Sequence, residues 1–335
     1  MTPDTATATR RTAPPATSVY FPIQPDTLEP IVDFARFAQD MGVRRLWMGQ
    51  SLRMETHLIL SALAARVPGL PLGTGVALAP LRHPYQAAIE ARTIAGLSGE
   101  SYVAGFGPGA AEFQRMLMPE PYARPLGVMY DYAATLRRLL DGEQVVQEGE
   151  FSTVKGALLP APAPPVEIGL GVLRPGMART AGRVADVAIT WLTPHSYIAD
   201  TLRPALAEGA AKEGREPPRV TTVVHVAVTR PARNPLRAVL TAVGPHLGSA
   251  HYTDMLRRSG LPADPKDPVQ GARTLLDSGV FLTGTPDEIA RQLRQHRASG
   301  VDEVVLNVCG VYFTEGEKAA MRDLREVLEA EASDV

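Results

Sequence analysis

The sequence predicts a closed (β/α)8 barrel, the TIM-barrel architecture, with an insertion forming a lid before its last strand. Three observations predict it. Short apolar runs alternate with helical patterns, eight strands in all, as parallel βαβ units with right-handed crossings require. The 335 residues exceed the roughly 250 that such a barrel needs, which leaves room for insertions. Glycines end the third, fourth and fifth strands, and active sites of such barrels lie at strand ends. An open doubly wound sheet of similar strand count is the alternative.

Met1–Ala16 is rich in Thr, Ala and Pro with no apolar core, so it reads as a disordered tail before one domain over 17–335. Ser18–Ile23 is the first strand. Thr27–Met41 is a helix, with Leu28, Ile31, Phe34, Ala38 and Met41 at helical spacing. Arg45–Gly49 is the second strand and Glu55–Val67 the second helix. Leu72–Leu78 is the third strand. Pro84–Leu97 is a helix with Pro84 at its start and Gly99 beyond its end. Ser101–Phe106 runs as a fourth strand into Gly105, Gly107 and Gly109, and Pro125–Leu140 is helical. Gln144–Lys155 reads as a hairpin turning at Glu148 and Gly149, and Leu158–Pro165 is extended.

Val166–Leu170 is the fifth strand, and a helix runs from Met177 through Val184. Between them lie Gly169, Gly171, Arg174, Pro175 and Gly176. A glycine-ended strand that starts a helix bares N–H groups at the helix's positive end, which suits an anion such as phosphate. Pro175 fits a first helical turn. A tight turn with no ligand is the competing reading. The two common nucleotide motifs are absent. Gly171 and Gly176 have the Walker spacing, but Met177 and Ala178 stand where Lys and Ser/Thr are required, and no G-x-G-x-x-G occurs.

Val187–Trp191 is the sixth strand, Ser196–Glu213 a helix and Val220–Val228 the seventh strand. Asn234–Gly279 is mostly helical, broken by Pro262, Pro265 and Pro268, and residues 245–280 form the lid. Thr285–Ser299 is a capped helix, Glu303–Val308 the eighth strand and Gly316–Ala332 the closing helix.

The composition is that of a soluble globular protein, 45% hydrophobic and 21% charged. A net charge of −2 with scattered basic residues argues against nucleic-acid or membrane partners. The lone Cys309 excludes a disulfide framework, fits a reducing cytoplasm, and reads as a packed core thiol. His195, His225, His246, His251 and His296 are dispersed, and no metal-ligand spacing occurs, so no metal is expected. His57 reads as a surface or packing residue, and Trp47 and Met48 as core.

Several stretches together resemble the bacterial-luciferase-like superfamily of flavin- and deazaflavin-dependent oxidoreductases. They are AQDMGVRRLWMG (Ala38–Gly49), LGTGVALAPLRHP (Leu72–Pro84), Leu97-Ser98-Gly99-Glu100, Ala181-Gly182-Arg183, Gly284-Thr285-Pro286 and Ser299–Glu303. The resemblance implies a flavin-like ring at the barrel mouth and a homodimer. It implies that Gly169, Gly171, Val172, Leu173, Arg174, Gly176 and Met177 hold the cofactor phosphate. Gly75 and Val76 would lie behind the ring, joined by a non-prolyl cis peptide as in deazaflavin members. Gln50, Ala77, Gly105 and Gly107 complete the implied cofactor set. His83 is expected to anchor a loop.

The chain departs from the family at two places. Gln50 and Ser51 stand where a polar pair such as Asp-His is frequent, and Pro108 stands where several deazaflavin dehydrogenases carry Glu. Sugar-phosphate dehydrogenation is therefore not assigned. The leading expectation is an F420H2-dependent reductase that passes hydride to an unsaturated carbon or imine of a small molecule or peptide. Ser51, Tyr20, Tyr102 and water are the candidate proton donors. An FMNH2-dependent two-component monooxygenase and a non-catalytic flavin-binding barrel are the alternatives.

Overall fold

The structure, a computed structural model, describes residues 16–333. The expected tail lies outside the described residues except for Ala16, which instead opens the first strand. The elements follow in chain order: β1 (Ala16–Tyr20), α1 (Glu29–Asp40), β2 (Leu46–Met48), α2 (Thr56–Arg66), β3 (Leu72–Thr74), β4 (Ala77–Leu78), α3 (Pro84–Ser98) and β5 (Tyr102–Gly107). Next come α4 (Ala111–Leu117), α5 (Pro125–Leu140), the hairpin β6 (Val145–Glu148) and β7 (Thr153–Gly156), β8 (Val166–Gly171), α6 (Pro175–Val184) and β9 (Val187–Trp191). After these stand α7 (His195–Tyr197), a π-turn at Ile198–Leu202, α8 (Arg203–Lys212) and β10 (Arg219–Val228). The chain closes with α9 (Pro235–Leu247), α10 (Ala250–Arg258), α11 (Pro268–Asp277), β11 (Phe281–Gly284), α12 (Pro286–Ala298), β12 (Glu303–Asn307), α13 (Cys309–Glu315) and α14 (Glu317–Ser333).

Eight strands close the barrel in the parallel order β1-β2-β3-β5-β8-β9-β10-β12, and β12 returns to β1. The expected fold is therefore the fold observed. One strand was not anticipated. Beyond Val223, where β9 leaves it, β10 continues and pairs His225–Val228 with β11. FLTG is too short to show a strand period between two helical stretches.

The lumen is filled in layers, as strand alternation requires. At the N-terminal end Glu303, 3% exposed, accepts hydrogen bonds from Ser18 Oγ at 2.6 Å and Trp47 Nε1 at 2.7 Å. Arg45 Nε lies 4.0 Å from the same carboxylate, and Arg45 Nη1 donates to the Leu72 and Ser101 carbonyls. Above this polar layer Trp47, Val103, Val187, Ile189, Val223 and Val305 form an apolar plug, with Tyr20, Val76 and Trp191 packed on its top. Trp47 is thus core, as expected.

Two glycines set how α6 lies. A Cβ on Gly182 would fall 2.1 Å from the Leu206 carbonyl oxygen, and one on Gly209 would fall 2.1 Å from that of Arg179. Helices α6 and α8 therefore touch backbone to backbone. The fully buried Asp323 of α14 accepts from Val228 N at 2.9 Å and Arg230 at 3.0 Å, which ties the end of β10 to the closing helix. The α12 start is capped as expected, by a capping box of Thr285 with Glu288.

Candidate functional site

The third strand is broken at its C-terminal end. It is read from sequence as continuous over Leu72–Leu78, but β3 stops at Thr74 and β4 resumes at Ala77. Between them the Gly75–Val76 peptide is cis, as the resemblance implies. Neighbours hold every side of this bulge. Gly75 N donates to Met48 O at 3.0 Å, Gln50 N donates to Val76 O at 3.1 Å, and the Tyr20 hydroxyl donates to Gly75 O at 3.2 Å. The Gln50 side-chain oxygen accepts from Leu78 N at 3.2 Å, and its amide nitrogen donates to Ser51 O at 2.8 Å. Gln50 therefore braces the bulge.

The strand-end glycines answer to that bulge. A Cβ on Gly105 would sit 2.0 Å from Thr74 O and 2.5 Å from Ile189 Cδ1, and one on Gly169 would sit 2.7 Å from the same Ile189 atom. Both glycines are buried, and the space they leave is taken by the bulge and the lumen plug. Nearer the mouth, a Cβ on Gly107 would lie 3.0 Å from Val76 Cγ2, and one on Gly171 would lie 3.3 Å from Val76 Cγ1. Val76 thus stands alone across two bare strand ends and makes a shallow apolar platform. Ala77 lies buried behind it, paired with Phe106.

The arm continues from this platform. Val172 is buried and donates to Ile189 O at 2.7 Å, while Leu173 is half-buried. Arg174 is the N-cap of α6, with extended backbone at φ −138° and ψ 156° and no side-chain cap. The first intrahelical bond is Ala178 N to Arg174 O, so the Gly176 and Met177 amides have no acceptor within the helix. Arg174 is not free: its guanidinium pairs with Asp254 of α10 at 3.3 Å.

The insertion covers the mouth at the top of the lumen. Trp191 meets Tyr20 edge-on at 5.2 Å and His225 at 5.0 Å, and it lies 5.5 Å from His246. His246 in turn meets Tyr252 of α10 at 4.9 Å. Burial pushes His225 down to about 3 and His246 down to about 4, so both rings are neutral near pH 7. Burial also raises the Cys309 thiol to about 12, and its sulfur lies 3.6 Å from His225 Nδ1. Cys309 is thus the expected packed thiol. The histidines expected to be dispersed are partly gathered here. The missed signal was register, since His225 shares the inward face of β10 with Val223, and Trp191 that of β9 with Ile189.

The other candidates lie elsewhere. Ser51 is buried in its own turn, where its hydroxyl accepts from Arg53 N at 3.2 Å. Tyr102 points outward from the barrel wall, donating to Thr74 Oγ1 at 3.4 Å and meeting the His57 ring. Its place in the outer core removes it as a proton donor at the mouth. His57 is 1% exposed beside Glu55, Glu90 and Phe106, so it packs rather than faces solvent. His83 anchors its loop through Thr153 O at 3.1 Å and caps α3 through Tyr85 N. Among the described residues, no group of three His, Cys, Asp or Glu side chains could hold a metal, and no helix is long and apolar enough to cross a membrane.

Comparison with known proteins agrees with this architecture. The 5,10-methylenetetrahydromethanopterin reductase of Methanolobus tindarius is 27% identical over 310 residues, which cover 84% of this chain and 90% of that protein. The F420-dependent glucose-6-phosphate dehydrogenase of Nakamurella multipartita is 33% identical over 177 residues, 51% of this chain and 52% of that protein. Among solved structures, the coenzyme F420-dependent tetrahydromethanopterin reductase from Methanopyrus kandleri superposes with a TM-score of 0.77 at 20% identity, covering 96% of this chain and 99% of that one. Monooxygenase RslO1 from Streptomyces bottropensis superposes with a TM-score of 0.69 at 17% identity, covering 95% and 99%. The model of the luciferase-like monooxygenase family matches residues 2–303, and the chain belongs to that family of flavin- and F420-linked oxidoreductases.

Proposed function

We propose that the protein is an F420H2-dependent reductase of the cytoplasm that delivers hydride to an unsaturated carbon or imine of a small molecule or peptide. The observation that carries this is the placing of a side-chain-poor platform, Val76 over Gly107 and Gly171, beside the uncapped start of α6. A flat ring needs the first and an anionic tail needs the second. Val76, Ala77 and Gly107 would back the ring, and the Gly176 and Met177 amides would meet the phosphate. When bound, the reduced deazaflavin supplies the hydride, and the protein supplies orientation and exclusion of water. Relatives named for F420 dependence in both comparisons support the choice of cofactor.

The family description and the monooxygenases among the relatives favour a second reading, a two-component monooxygenase using FMNH2. One titration separates the two. Purified protein is mixed with F420 or FMN, and quenching of cofactor fluorescence is followed. Tight F420 binding without FMN binding is the expected result. The reverse result transfers the protein to the monooxygenase reading, and binding of neither leaves a non-catalytic barrel.

A further inference from the structure

We propose that His225 Nε2 and Trp191 Nε1 together grip one oxygen of an uncharged substrate, a carbonyl or hydroxyl on a flat apolar body. This rests on the mouth being where cofactor and substrate meet, and it adds the chemical class of the substrate. Both atoms are buried and have no hydrogen-bond partner, and His246 Nδ1 is a third such atom in the same ring cluster. His225 itself is 1% exposed and sits on the inward face of its strand. Buried polar groups are ordinarily paired, so three orphans on rings that meet at Trp191 mark a place where a ligand completes the bonding.

The chemistry of the orphans limits the ligand. An indole N–H only donates, so the ligand atom must accept. The Cys309 thiol lies 3.6 Å from His225 Nδ1. A protonated thiol donating there leaves the ring proton on Nε2, which becomes a second donor to the same oxygen. Charge is not on offer. The rim arginines Arg174 and Arg258 are both paired with Asp254, at 3.3 and 2.8 Å. The walls are the rings of Tyr20, Trp191 and Tyr252. An anionic substrate would have to leave water for neutral donors only, which is unfavourable.

Benzylideneacetone, a neutral flat enone, and cinnamate, its anionic counterpart, are the probes. The chain has two tryptophans, so its indole N–H spectrum in 15N-labelled protein has two signals, and loss of one in Trp191→Phe assigns them. Benzylideneacetone is expected to move the Trp191 signal and leave that of Trp47, already bonded to Glu303, in place. Cinnamate is expected to move neither. His225→Phe is expected to weaken the enone titration by about tenfold and His225→Gln by less, because the amide restores a donor. A Trp191 signal unmoved at saturating enone, or moved equally by cinnamate, overturns the proposal. The measurement needs no cofactor. A positive shift alongside failed F420 binding would therefore keep the carbonyl grip and remove only the hydride donor.

Discussion

Glu303→Ala is expected to lower the unfolding free energy by about 3–5 kcal/mol, the usual cost of removing one partner of a buried ion pair. Four groups lose a partner at once. The Ser18 hydroxyl and the Trp47 indole each donate to Glu303 Oε1, Arg44 Nε lies 3.6 Å from Oε2, and Arg45, with its side chain 3% exposed, lies against the same carboxylate. Arg45 keeps its carbonyl partners and its pairing with the partly exposed Glu167 at 3.7 Å, so the barrel floor loosens without losing all its bonds. Burial already disfavours the charged form of Arg45, and the two carboxylates oppose that shift. Taking Glu303 away leaves the guanidinium nearer to an unpaired buried charge. Glu303→Gln retains an acceptor for Ser18 or Trp47 and is expected to cost less. Urea unfolding of both variants checks this, and midpoints equal to that of the unchanged protein would show the floor to be dispensable.

Gly105→Ala is expected to damage the mouth from below. Its Cβ would lie 2.0 Å from the Thr74 carbonyl oxygen, a backbone atom, and neither chain can retreat cheaply. Thr74 Oγ1 accepts from Gly105 N at 2.9 Å and donates to Gly105 O at 3.0 Å, which clamps the two strands together. The strain is expected to cost about 1–3 kcal/mol, as overpacked cores do. If the proposed cofactor reading holds, the displaced Val76 platform also weakens F420 binding, by about tenfold for a loss near 1.4 kcal/mol. Gly96→Ala serves as the control, because a Cβ on that α3 glycine meets nothing within 4 Å. It is expected to gain up to about 1 kcal/mol of helix propensity. Thermal melts and the F420 titration on both variants test the contrast, and a Gly105→Ala protein that melts and binds normally would refute it.

The barrel was readable because its signals are long-range averages. Runs such as VTTVVHVAV at β10 are too apolar and β-branched to be anything but a buried strand, and the closing pairs β1–β12 and β1–β2 need only the right order of runs. The glycine arm was readable because a strand, a glycine turn and Pro175 fall in a fixed local order. Short elements were not. The seven-residue helices α4 and α13 show too few turns to set a period. The site was legible only where it is backbone. Gly105 and Gly169 announce close approach but not to what, and only the fold shows the Thr74 carbonyl and Ile189 filling the gap. Trp191 and His225 are 34 residues apart along the chain and meet because β9 pairs with β10, and the chain folding back over α9 adds His246 to them.

The contact between Gly182 and Gly209 has a mechanical corollary. With no side chain between them, α6 and α8 have no soft layer to shear along, so the wall that carries the Gly176 and Met177 amides is a fixed jaw. Across the mouth, α10 meets this wall through the half-exposed Arg174–Asp254 pair, while its Met255 and Leu256 are buried in the core. A ligand entering the mouth therefore has to fit the α6 wall as it stands, because that wall has no side-chain layer through which to yield.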